Sequence, residues 1–201
     1  MVKIEIKKSE LKVLGKKFLE IETECILDNG LYKLTGSNGS GKTLFLEYLS
    51  GIRKTENIVL EANSKKILYL GEVGIGMEDL TIFENIKLVY WIFGTKLDEK
   101  IIEKIKTLYS DEQLNKIYSQ SSFGMQLMVG LSLLFSDIDW ELIILDETLS
   151  GVDINNRQIL INELMKKKHT ATIFIVSHEQ LDEKINYKEV HINDKKLFFK
   201  Q

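Results

Sequence analysis

The chain has 201 residues, enough for one domain with its own core, and its 44% hydrophobic content is ordinary for a soluble globular protein. A net charge of -3, with arginine only at Arg53 and Arg157, argues against a general nucleic-acid binder. The single cysteine, Cys25, can form no internal disulfide and suits a reducing cytoplasm. The first residues, Met1-Val-Lys-Ile-Glu-Ile6, carry charges where a signal peptide needs an apolar stretch, and Leu88–Phe93 is far short of the ~20 apolar residues that span a bilayer.

Ile4 and Ile6 alternate with charged residues, as in a first strand. From Phe18 to Leu27 the alternation continues. Leu19, Ile21, Thr23, Cys25 and Leu27 fall on one face and Glu20, Glu22 and Glu24 on the other, the pattern of one half-buried antiparallel strand. Gly30–Thr35 alternates into a glycine-rich turn, and Leu44–Leu49 leaves it with helical spacing. Ile58–Leu60 and Ile67–Leu70 read as short strands, and Gly71, Gly74 and Gly76 mark an irregular loop. Thr81 and Glu84 form a capping box that opens a helix through about Phe93. A second helix, Asp98–Leu108, puts Leu97, Ile101, Ile105 and Leu108 on one face, and a third runs from Phe123 to Phe135. Leu142–Leu145 is a continuous apolar run of the buried parallel type; a helix from Ile154 to Lys168, a strand from Ala171 to Val176 and two short strands near Lys188–Ile192 and Lys196–Phe199 follow. The expected fold is α/β in one domain, 1–201. Its core, 1–71 and 136–201, has mostly parallel strands and a small antiparallel N-terminal sheet, and 72–135 forms a helical subdomain.

Gly36-Ser37-Asn38-Gly39-Ser40-Gly41-Lys42-Thr43 matches the G-x-x-x-x-G-K-[ST] phosphate-binding loop in full. A strand, a glycine-rich turn and a helix N-terminus together aim backbone N–H groups at one anion. Lys42 is expected to reach the terminal phosphates and the Thr43 hydroxyl to ligate Mg²⁺. Further on, the strand Leu142–Leu145 runs into Asp146 and Glu147. After such a loop the first carboxylate is expected to hold the Mg²⁺ shell and the second to polarise the attacking water.

At this point the sequence resembles the ATP-binding subunits of ABC transporters, over essentially its whole length. That family follows the metal-binding strand with Asp-Glu-Pro-x-Ser-Gly-Leu-Asp, and Asp146-Glu-Thr-Leu-Ser-Gly-Val-Asp153 is similar, with Thr148 in place of the proline. The resemblance makes Asp153 part of the loop beside the nucleotide and gives His178, which ends Ile173-Phe-Ile-Val-Ser-His178, a γ-phosphate contact. Ser121-Ser122-Phe-Gly124-Met-Gln126 looks like a Ser-x-Gly-Met form of the family signature, so Ser122 and Gly124 would bind the ATP held by an opposite subunit. Two positions depart from the family pattern. Glu72 or Val73 stands where a glutamine is usual, and the aromatic that stacks on adenine would fall near Val13-Leu14, with Phe18 as a substitute candidate.

The resemblance implies ATP and Mg²⁺ as cofactors, a second ATP-binding subunit and an integral membrane permease as partners, and no nucleic acid or membrane insertion. It implies a motor of transport, an exporter by the signature variant, in the cytoplasm at the inner membrane face. The other readings are a soluble ABC-type ATPase and a nucleotide-binding regulatory subunit. Within Phe83–Phe93, core packing is the expectation for most side chains, with Tyr90, Trp91 or Phe93 as candidates for an exposed anchor to the permease.

Overall fold

The computed structural model describes residues 3–61, 66–177 and 185–200. The chain forms two compact units: Met1–Tyr69 with Trp140–Glu147 and Lys168–Gln201, and Leu70–Asp139 with Thr148–Lys167.

The first unit is built on β1 (Lys3–Ile6), β2 (Ser9–Val13), β3 (Lys16–Ile21), β4 (Cys25–Leu27), β5 (Gly30–Gly36), α1 (Lys42–Leu49), β6 (Ile58–Glu61), β7 (Ile67–Leu70), β8 (Leu142–Asp146), β9 (Thr172–Val176), β10 (Lys188–Asn193) and β11 (Lys196–Lys200). Among the described residues, eight strands form one sheet in the order β2-β3-β11-β10-β5-β9-β8-β7. Its centre is parallel: β10 pairs with β5, β5 with β9 and β9 with β8. The hairpins β2–β3 and β10–β11 are antiparallel. A smaller antiparallel sheet has the order β4-β1-β6.

β8 and β9 are buried at every position, so they show no alternation: both faces of the sheet are covered there. Tyr32 stacks on Phe174 at 5.0 Å between ring centroids, and Phe45 of α1 meets Phe174 edge-on at 6.0 Å. Phe45, Leu46 and Leu49 join Leu34, Ile144 and Phe174 in one core cluster. Eight residues make too short a helix to stand alone in water. Burying each large apolar side chain contributes roughly 1.5–3 kcal/mol, so packing under the sheet holds α1 and hence the start of the helix after the glycine-rich turn.

One expectation needs correcting. Phe18–Leu27 is not a single strand; it breaks after Ile21. β3 stays in the large sheet, antiparallel to β2 and parallel to β11, while β4 crosses to the small sheet beside β1. The linking Thr23 and Glu24 are exposed, so the period-2 pattern runs on through a segment that pairs with nothing named. Alternation alone does not reveal a change of sheet.

The second unit holds α2 (Ile82–Ile92), α3 (Glu99–Ile105), α4 (Asp111–Leu114), α5 (Phe123–Leu131) and α6 (Ile154–Lys167). Thr81 and Glu84 form the capping box of α2, Asp98 caps α3, and Ser110 with Gln113 forms a second box on α4. α3 stops earlier than expected, although Leu108 in the turn beyond it remains buried. The third helix tightens to a 3-10 turn over Ser132–Phe135, where Ser132 Oγ donates back to Val129 O at 2.7 Å. Asn85, fully buried, accepts from Met77 N–H at 2.7 Å and donates to Met77 O and Thr81 O at 3.1 and 3.0 Å, fixing the loop before α2. Tyr90 is buried and donates to Ser132 O at 2.7 Å, so it is a packing residue and no surface anchor. Trp91 beside it is 77% exposed.

Candidate functional site

The last residue of β5, Gly36, opens the turn. A Cβ there would lie 2.7 Å from Ile192 O and 2.8 Å from Ser40 Oγ, so only glycine fits. Gly41 is the N-cap of α1 at φ 110°, a left-handed value, and it provides no side-chain cap. The first N–H groups of α1 therefore lack the partner that Ser, Thr, Asp or Asn would give them. Lys42, only 9% exposed, folds back over the turn and donates to Gly36 O at 2.9 Å and Ser37 O at 3.3 Å. Both acceptors are neutral carbonyls, and among the described residues Lys42 makes no ion pair. A buried cation held only by carbonyls, beside uncapped N–H groups, is an anion site. Ser40 Oγ is buried there with no hydrogen-bond partner among the described residues, as expected of a group built for a further acceptor or donor.

β8 delivers Asp146 to the sheet's C-terminal edge at 6% exposure, where Oδ2 accepts from Tyr69 Oη at 3.2 Å. Burial, and next the Asp146 charge, push the Tyr69 phenol above its usual range, so the hydroxyl remains the donor of this pair. Glu147 follows at φ 59°, a left-handed conformation uncommon outside glycine and costing on the order of 1 kcal/mol or more. Its backbone N–H donates to Val176 O at 3.1 Å. A cavity of about 160 Å³ is lined by Lys42, Glu147, Thr35, Lys33 and Ser177, among others, so the cation and the second carboxylate share one small space. Strain at a carboxylate that faces a cationic cavity points to a working residue.

The donor set suits Mg²⁺. Thr43 is an exposed hydroxyl in the first turn of α1, and Asp146 supplies a carboxylate. Among the described residues no three His, Cys, Asp or Glu side chains converge. Mg²⁺ prefers one or two protein ligands beside phosphate and water, so these two residues would hold it.

In the second unit, Thr148 donates to Leu70 O at 2.7 Å, with Gly71 O at 3.0 Å. The residue in the proline position thus ties the start of a 3-10 turn, Thr148–Gly151, to the loop that carries Glu72. Glu72 and Val73 are both exposed. Ser122 is the N-cap of α5 and accepts from Met125 N–H at 3.3 Å. A Cβ on Gly124 would lie 2.6 Å from Gly151 O, so the signature glycine is what lets that backbone approach. Asp153 caps the start of α6, accepting from Asn155 and Asn156 N–H at 3.2 and 3.1 Å. His178 lies outside the described residues.

Leu14, 98% exposed, occupies a left-handed position in the β2–β3 turn. The partly buried Phe18 sets its ring edge against Gly41, with Lys195 Nζ 5.4 Å from the ring centroid. Sequence reasoning missed Tyr69, Thr35 and Lys33. Their role depends on which strands are neighbours, and no local pattern carries that.

The ABC transporter family model matches residues 24–150. The uncharacterized ABC transporter ATP-binding protein YybJ of Bacillus subtilis is 30% identical over 183 residues, covering 81% of this chain and 83% of the relative. The lipoprotein-releasing system ATP-binding protein LolD of Treponema denticola is 28% identical over 73% of this chain and 74% of its own. Among solved structures, a putative ABC transporter ATP-binding protein from Pyrococcus furiosus superimposes with a TM-score of 0.77 at 22% identity, covering 94% of this chain and 97% of that one. The chain belongs to the ABC transporter family, among its ATP-binding subunits.

Proposed function

We propose that the chain binds ATP with Mg²⁺, hydrolyses it, and drives a separate membrane permease as the motor subunit of an exporter. The observation that carries this reading is the buried Lys42, held among the described residues by two carbonyls and lining one cavity with the strained Glu147. Lys42 and the N–H groups from Gly36 to Thr43, with Ser37, Asn38, Gly39, Ser40 and Gly41 between them, hold the phosphates. Thr43 and Asp146 hold Mg²⁺, which when bound offsets charge on the phosphates. Glu147 orients or deprotonates the attacking water, and His178 senses the γ-phosphate. Ser122 and Gly124, with Asp153 in the adjoining loop, complete the ATP site of a second copy or related chain. Positioning and charge stabilisation do most of this chemistry, so one missing group costs several kcal/mol.

The permease reading is supported by Val73 (71% exposed), Ile75, Met77 and Trp91, apolar side chains turned to solvent in the second unit. No helix among the described residues is long and apolar enough to cross a membrane. The Ser-x-Gly-Met signature and the name of the lipoprotein-releasing relative support export. A regulatory role draws on one observation, the lack of a glutamine at Glu72-Val73.

The test is Glu147→Gln, which keeps shape and hydrogen bonding and removes basicity. With ATP and Mg²⁺ this variant should bind nucleotide, fail to turn it over, and run as a dimer where the unmodified chain runs mainly as a monomer. General-base removal should lower turnover by about 10²–10⁴-fold. Turnover at the normal rate would overturn the assignment of Glu147. Absence of Mg²⁺-dependent turnover in the unmodified chain, with or without a copurified multi-span protein, would favour the regulatory reading.

A further inference from the structure

We propose that Tyr69 is a positioning residue for the metal-holding carboxylate of Asp146, an inference that rests on the assignment of Asp146 to Mg²⁺ above. Tyr69 lies on β7, the neighbour of β8 in the sheet, on the face opposite the buried Leu68 and Leu70. Its ring packs against the core cluster that includes Leu142 and Ile144 of β8, so the hydroxyl is carried on a rigid arm. Tyr69 Oη donates to Asp146 Oδ2 at 3.2 Å.

A carboxylate on a short side chain turns in a broad, roughly two-fold well, and nothing in a strand fixes which oxygen points outward. Anchoring Oδ2 through Tyr69 fixes the plane of the group and leaves Oδ1 to face a ligand. The same hydrogen bond satisfies one oxygen of a carboxylate that is 6% exposed and would be costly to leave unpaired. Groups that orient a metal-ligating side chain in this way typically account for 10–100-fold in metal affinity or activity. Tyr69 touches neither phosphate nor water in this role; it acts only through Asp146.

The experiment is equilibrium binding of a fluorescent ATP analogue to the full chain, first in EDTA and then across a Mg²⁺ titration, with Tyr69→Phe beside the unmodified protein. The ring stays and only the hydroxyl goes. Metal-free affinity, which depends on the glycine-rich turn and Lys42, should change by less than about twofold, while the Mg²⁺ concentration at half-effect should rise by about tenfold. Asp146→Asn should flatten the Mg²⁺ response, which identifies the carboxylate that the titration reads. A Tyr69→Phe titration that superimposes on the unmodified one overturns the proposal. So does a variant whose affinity falls by the same factor with and without metal, since that is a packing effect. An unmodified chain whose nucleotide affinity ignores Mg²⁺ would remove the metal assignment itself, and the proposal with it.

Discussion

Two helix N-termini in this chain use the same physics and are finished differently. α1 begins at Gly41 with no side-chain cap, next to a buried lysine that lines a cavity with Glu147. α5 begins at Ser122 with its cap in place, carrying a glycine pressed against Gly151 O and no charge of its own. Both ends concentrate partial positive charge. The first is equipped to bind an anion unaided. The second satisfies itself and offers a hydroxyl and a close backbone surface. On the proposed function, the difference is that between a primary nucleotide site and half of a shared one.

The widest break in that comparison should come from Lys42→Ala. It removes the buried cation at the start of α1 and leaves the N–H groups intact. With bonds to charged groups worth roughly 1.5–3 kcal/mol each, ATP affinity of the single chain should fall by about 100-fold or more. Fluorescence titration of the monomer checks this. An affinity within threefold of the unmodified chain would show that the uncapped helix end does the binding without the lysine.

Gly124→Ala tests the other end. A Cβ there would sit 2.6 Å from Gly151 O, so α5 or the Thr148–Gly151 turn must shift. Binding by the single chain should be unchanged within about twofold. ATP-dependent pairing in the Glu147→Gln background should be lost, with turnover of the otherwise unmodified protein down at least about tenfold, as a misplacement near 1 Å at a catalytic surface can produce. Sedimentation separates the two readouts. Loss of monomer binding would mean that the two ends are not independent.

How much of this was legible beforehand depends on whether the chemistry is contiguous in sequence. The Gly36–Thr43 motif could be read directly because its residues are consecutive, and the strand and helix on either side of it stand where alternation and helical spacing put them. The strand that leads into Asp146-Glu147 was legible because it is an apolar run buried on both faces. The Tyr69 hydrogen bond was not, since it needs β7 to lie beside β8. The break between β3 and β4 was hidden by an alternation that continues through exposed Thr23. Glu72 and Val73, where the family pattern has a glutamine, are both exposed.

Thr148→Val sharpens the comparison on the stability side. The hydroxyl is buried and serves Leu70 O, with Gly71 O also in reach. Removing it leaves carbonyls short of a donor, which costs about 1–3 kcal/mol. For a chain of this size each kcal/mol moves the thermal midpoint by roughly 2–4 °C. A midpoint within 1 °C of the unmodified protein would show that water replaces the bond, and that the loop carrying Glu72 is not held through Thr148.

Ser122→Ala should have the smallest effect on the fold and still discriminate. Its Oγ accepts from Met125 N–H at 3.3 Å, a long bond on an exposed residue, so the lost cap should cost about 0.5–1 kcal/mol, the low end of the usual range. If the hydroxyl serves only as a cap, the stability loss is the whole effect, and a Ser122→Asp variant, an equally good capping residue, restores it with normal turnover. If the hydroxyl also meets the phosphate of ATP held by a second copy, Ser122→Asp restores stability and abolishes pairing, because a carboxylate there repels the phosphates that bring the copies together. We expect the second pattern. Thermal midpoints read the cap and sedimentation of the Glu147→Gln background with ATP reads the shared site. Recovery of both by Ser122→Asp would reduce α5 to an ordinary capped helix and remove the second half of the comparison.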